Sequence, residues 1–126
     1  MWKKISGLEQ IVMDHVWANP GCTAEDCRQA LAQSSRNLKD STVRTLLHRL
    51  EQKGYLTHDV DGRTYRYRAP ERRRNMAAQV VKQIIDQFCD GSVEQLLAGM
   101  VENSFVRQEE LEKLAKKIIK NKAARS

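Results

Sequence analysis

"STVRTLLHRLEQKGYLTHDVDGRTYRY", residues 41–67, changes its periodicity in mid-course. Val43, Leu46, Leu47 and Leu50 fall at i, i+3, i+4 and i+7, the stripe by which a helix faces a core. Gly54 is the residue type that closes a helix in the left-handed conformation. Beyond it, "YLTHDV" and "RTYRYRA" alternate around Asp61-Gly62, a strong short-range hairpin signal. A helix thus passes to a hairpin with a single glycine between them.

The outer side of that helix is polar without being acidic. Opposite the leucine stripe lie Ser41, Thr45, His48 and Gln52, with Thr42 beside them and Arg44 and Arg49 on the flanks. A helix that enters a major groove needs such a face: arginine for guanine edges, hydroxyls and amides for bases or phosphates, a threonine methyl for thymine. A solvated amphipathic helix would carry a similar face, and the helix alone does not separate the two. The hairpin does. Arg63, Tyr65 and Tyr67 alternate with Thr64, Arg66 and Arg68, so one face can pack tyrosines on the helix while the tip carries charge to a phosphate backbone. From Arg36 to Arg68 there are eight Lys/Arg against four acids, four of the chain's six net positive charges. The expected DNA contacts are Lys39, Ser41, Thr42, Arg44, Thr45, His48, Arg49, Arg63 and Tyr65.

Working outward, Ser6 and Glu9 have the spacing of a capping box, and Leu8, Ile11, Val12 and Val16 line the helix that follows. "NPG" at 19–21 stops it. Thr23 caps a second helix, with Asp26 as the reciprocal acid and Ala24, Cys27, Ala30 and Leu31 on a close-packing face. Asp40 or Ser41 is the expected cap of the third. The order helix, helix, helix, hairpin predicts a winged helix-turn-helix over residues 1–70.

Pro70 is expected to open a long helix bearing Met76, Val80, Val81, Ile84, Ile85 and Phe88. "DGS" at 90–92 breaks it, and Ser92 caps a short helix with Val93, Leu96, Leu97, Met100 and Val101. A last helix carries Leu111, Leu114, Ala115, Ile118 and Ile119 into a basic tail. These apolar residues exceed what one small layer hides. Residues 71–126 are therefore expected to be a helical homodimerisation domain, with Val80, Val81, Ile84, Ile85, Phe88, Leu96, Leu97, Met100, Leu111, Leu114 and Ile118 at its interface. The predicted fold class is mainly α with a small β-hairpin wing.

Composition narrows the function classes. The 126 residues are 40% hydrophobic but only 6% aromatic, and the net charge is +6, which favours an anionic partner. No stretch has the length of a membrane span, and "MWKKISGLEQ" carries Glu9 where a signal peptide is apolar, so a cytoplasmic location is expected. Cys22, Cys27 and Cys89 form no C-x-x-C pair and are expected to be reduced, with Cys27 packed on a helix face. His15, His48 and His58 lack ligand spacing, and no nucleophile or phosphate-loop motif is present. No metal, no cofactor and no enzymatic activity are expected. The rival to DNA is a winged helix whose basic stripe meets an acidic protein partner.

"SGLEQIVMDHVW", "STVRTLLHRLEQKGYL", "DGRTYRYRA" and "FCDGSVEQLLAGMVE" resemble, in order and spacing, the penicillinase and methicillin-resistance repressor family, from about Ile5 to Leu114. The resemblance implies a bacterial homodimeric repressor that binds double-stranded DNA at a palindromic operator. It also implies release by proteolysis, triggered through a membrane sensor protease. In penicillinase repressors the cut follows an Asn before a Phe. Gly99 and Met100 stand at the matching positions, a departure from that rule in the candidate cleavage region. Copper-responsive relatives end in a cysteine-rich motif. "KKIIKNKAARS" contains neither cysteine nor histidine, which argues against copper sensing by that route.

Overall fold

The computed structural model describes residues 3–125. Six helices and one hairpin follow in the order α1 (Gly7–Ala18), α2 (Ala24–Gln33), α3 (Asp40–Gln52), β1 (Thr57–Asp61), β2 (Thr64–Arg68), α4 (Arg73–Phe88), α5 (Val93–Glu102) and α6 (Gln108–Arg125). The first two residues of the amino-terminal stretch and Ser126 of the basic tail lie outside the described residues. Contacts divide the chain into two compact units, ending at Val80 and beginning at Val81.

In the first unit the local signals hold. The Ser6 hydroxyl accepts from Glu9 N while the Ser6 N–H donates to Glu9 Oε1, and Thr23 and Asp26 repeat the arrangement for α2. Each box satisfies two otherwise orphaned donors. The start of α3 differs from expectation. Its N-cap is Lys39, with no side-chain hydrogen bond, and Asp40 is already the first helical residue. There the carboxylate is favourably placed against the helix dipole and reaches Arg44 Nε at 3.1 Å, so it serves inside the first turn rather than as a cap.

Val12, Met13, Val16, Cys27, Leu31, Val43, Leu47 and Leu50 have lost all exposure and form the centre of one core. Each large side chain buried this way contributes about 1.5–3 kcal/mol before entropy is counted. Tyr55 and Leu56, read from the sequence as strand, instead fill that core just ahead of β1. Gly54 has φ +85° and lets the chain reverse there.

Two long-range ties close this unit. Glu9 is nearly fully buried, and Lys53 Nζ donates to its two oxygens at 2.7 and 2.9 Å and to Lys4 O at 3.0 Å. Burial pushes the Glu9 carboxyl up, but the hydrogen bonds from Lys53 and Ser6 outweigh it and hold the group below its ordinary value. On another side, Trp17 Nε1 donates to Glu71 O at 3.0 Å, and the Arg73 guanidinium lies 4.6 Å over the Trp17 ring while pairing with Asp14. Met76 joins the core from the first half of α4. Pro70 lies ahead of α4, which begins only at Arg73, rather than in its first turn.

The second unit comprises the end of α4, α5 and α6. Asp90 (φ +50°) and Gly91 (φ +78°) break the chain after α4, and Ser92 Oγ caps α5 by accepting from Gln95 N. Among its described side chains only Ile85 is buried, while Phe88, Val93, Phe105, Leu114, Ile118 and Ile119 stand exposed. No helix among the described residues is long and apolar enough to cross a membrane.

Candidate nucleic-acid interface

β1 and β2 pair antiparallel from Thr57↔Arg68 to Asp61↔Thr64, which leaves Gly62 and Arg63 as the two-residue loop. The turn is thus one residue later than the expected Asp61-Gly62. Gly62, with φ +63°, occupies the first central position, the placement a type II′ hairpin requires of glycine. This puts Arg63 at the tip of the wing.

The hairpin is held against the helices by its inner face. His58, Tyr65 and Tyr67 form a ring cluster, with His58 stacked on Tyr65 at 4.1 Å. His58 Nδ1 meets the Glu51 carboxylate in the last turn of α3. Tyr67 is buried, and its backbone pairs with the turn before α2: Gly21 N donates to Tyr67 O, and Tyr67 N to Cys22 O, both at 2.8 Å. Burial, with the Glu51 charge nearby, pushes the Tyr67 hydroxyl above its ordinary value.

All nine predicted contact residues are exposed. Four of them, Arg44, His48, Arg63 and Tyr65, line one open groove of about 920 Å³ between α3, the start of α2 and the wing. Lys39, Ser41, Thr42, Thr45 and Arg49 lie elsewhere on the exposed face of α3 or at its start. Thr45 Oγ1 donates back to Ser41 O at 3.0 Å, so its methyl is the group left to face outward.

The acids in this stretch are all engaged. Asp40 pairs with Arg44, Glu51 with His58, Asp59 with Arg68 and Asp61 with Arg66. Among the described residues Arg36, Lys39, Arg49 and Arg63 form no ion pair, so their charges project without a local counter-ion. The two arginines on the outer face of the wing are instead spent within the hairpin region, Arg66 also donating to Gly21 O. Glu51 and His58 are the site residues that sequence reasoning missed. They lie on either side of the Gly54 turn, and only the turn's geometry brings them together. No group of three or more His, Cys, Asp or Glu among the described residues is arranged to hold a metal ion.

A family model described as penicillinase repressor matches residues 5–120. The methicillin resistance regulatory protein MecI of Mammaliicoccus sciuri is 26% identical over 88% of this chain and 89% of its own length. The transcriptional regulator BlaI of Mycobacterium tuberculosis is 32% identical over 79% of this chain and 72% of its own. Among solved structures, Streptococcus pneumoniae FabT in complex with DNA is 24% identical over 89% of this chain and 79% of that chain, with a TM-score of 0.50, a likeness of fold. Three packed helices, a hairpin wing against the third, and a match from residue 5 to residue 120 agree: the chain belongs to the penicillinase repressor family.

Proposed function

We propose that the chain is a bacterial transcriptional repressor that binds a palindromic operator in double-stranded DNA as a homodimer. Residues 1–70 bind DNA and residues 71–126 dimerise. The observation that carries this is the pairing of an exposed α3 face, whose two acids Asp40 and Glu51 are held by Arg44 and His58, with a wing tip whose Arg63 has no counter-ion. Arg44, Thr45 and His48 read base edges, Lys39, Ser41 and Thr42 approach phosphates, and Arg49, Arg63 and Tyr65 steady the flanks. Release of Arg44 from Asp40 accompanies binding, a small cost because both groups are exposed.

Dimerisation is supported by the second unit's shortage of core. One buried side chain does not stabilise helices that leave Phe88, Leu114, Ile118 and Ile119 in water. A second copy that covers them also covers the half-buried Val80, Ile84, Leu96, Leu97, Met100 and Leu111, together with Val81. Tethering two winged helices raises avidity by about 10²–10⁴ over one.

Repression ends, on this reading, when the dimer is dismantled. Cleavage between Val93 and Asn103, through a membrane sensor protease system, would detach α6. Gly99 and Met100 lie within helix α5, so a protease must first unwind it. Selection from random-sequence duplexes tests the proposal: the full chain is expected to enrich an inverted repeat, while a chain truncated after Ala98 sediments as a monomer and loses that binding. Failure to enrich any repeat would refute operator recognition. A truncated chain that stayed dimeric would refute release by cleavage here.

A further inference from the structure

We propose that Cys22 and Cys27 are a peroxide-sensitive thiol pair whose closure to an intramolecular disulfide loosens the wing. All three cysteines are free, and Cys22 Sγ lies 3.9 Å from Cys27 Sγ inside the first unit. Cys22 is the residue before the Thr23 cap and Cys27 the fourth helical residue of α2, the two positions a hydrophobic staple brings together. Here both staple residues are thiols.

The pair is asymmetric in a way that assigns roles. Cys22 keeps 6% exposure and Cys27 none, so a small oxidant meets Cys22 first. The hydrogen bond between the two sulfurs lowers the Cys22 thiol below its ordinary value against the opposing effect of burial. Cys27 is raised by the same hydrogen bond and by its burial. Cys22 thiolate attacks one oxygen of hydrogen peroxide, giving the sulfenic acid and, with one proton, water. The Cys27 sulfur then attacks the Cys22 sulfur and expels hydroxide, which leaves as water with the Cys27 proton. Two thiols and one peroxide become one disulfide and two waters, and a dithiol reverses the change.

Closure reaches the wing through the backbone. A disulfide requires the sulfurs at about 2.05 Å, roughly 1.9 Å closer than they stand. Cys27 is fixed by the helix and by complete burial, whereas Cys22 follows Gly21, a turn residue with φ +86° and open space around it. Cys22 therefore moves. Its carbonyl accepts from Tyr67 N, Gly21 N donates to Tyr67 O, and Gly21 O holds Arg66. A shift of this turn pulls on β2 next to Tyr65 and His58 in the groove.

The test uses the full-length Cys89→Ser protein, which retains only these two thiols, and the unaltered chain beside it. After hydrogen peroxide, both thiols should become resistant to alkylation under denaturing conditions, and peptide mapping should link Cys22 to Cys27. The Tyr67 amide should lose hydrogen-exchange protection, a readout that needs no DNA. Affinity for a duplex enriched from a random pool by the reduced protein should fall about tenfold, the scale of one charge-assisted contact, and return with dithiothreitol. The affinity arm rests on the repressor reading, whereas the thiol and exchange arms do not. Thiols that remain alkylatable, a Cys22 that oxidises to sulfinic acid without linking, or a linked protein with unchanged Tyr67 exchange would each overturn the proposal.

Discussion

His58 lies flat on the Tyr65 ring, centroids 4.1 Å apart and planes inclined by 10°, while its Nδ1 meets the Glu51 carboxylate. One side chain thus joins the wing to the last turn of α3. Glu51→Ala and His58→Ala should each weaken duplex binding by roughly tenfold, because the wing loses its fixed angle to the helix. The double variant should lose little more than either single one. Additive losses in that cycle, measured by fluorescence anisotropy, would show that the two residues act separately.

Glu9 gives the first unit a predictable response to acid. Its folded carboxyl lies below the ordinary value of 4.5, so its contribution to stability is complete above that pH. The contribution is lost as pH falls through the folded value. Glu9→Gln should flatten the acid limb of the unfolding free energy in urea titrations. Lys53→Met leaves the carboxylate buried without its partner and should cost about 3 kcal/mol near neutral pH. An unchanged acid limb in Glu9→Gln would place the acid sensitivity elsewhere.

Arg44 and Arg63 should fail in different ways. Arg44→Ala is expected to cost about 1–3 kcal/mol and to relax preference at one base position, as loss of a bidentate contact does. Arg63→Ala should weaken all sequences about equally and reduce the salt slope by about 1. Affinities across a panel of single-base operator variants distinguish the two. Equal, sequence-independent losses from both substitutions would mean that α3 does not present Arg44 to bases.

The exposed apolar residues of the second unit should behave as interface anchors. Leu114→Glu or Ile118→Glu is expected to weaken dimerisation by roughly 2 kcal/mol or more, read by sedimentation equilibrium. The isolated helices should change little, since both side chains are already half exposed in one chain. Undiminished association would move the interface away from α6.

Local chemistry was legible in advance because its partners are three or four residues apart. The Ser6–Glu9 and Thr23–Asp26 boxes, the Val43, Leu46, Leu47 and Leu50 stripe and the Gly54 reversal all follow from spacing. Two errors were local as well. Asp40 and Ser41 have capping side chains, but Asp40 is drawn into the first turn by Arg44, and the wing turn centres on Gly62-Arg63 because glycine takes the first position of its loop. Longer ties were not legible. Glu9 and Lys53, Trp17 and Glu71, and Tyr67 with the Gly21-Cys22 turn are far apart in sequence. No periodicity encodes such pairs. The candidate interface was therefore readable as a face and a wing, and not as the Glu51–His58 tie that sets the angle between them.

Binding to an enriched duplex across a salt series tests the repressor reading most directly. Log affinity should fall linearly with log salt, with a slope near −0.9 for each phosphate neutralised. With about 6–10 contacts per dimer, the loss between 50 and 200 mM would be about 10³–10⁵. The enriched duplex should stay well ahead of a scrambled one throughout. An affinity indifferent to salt, or equal for the two duplexes at every concentration, would contradict operator binding through α3 and the wing.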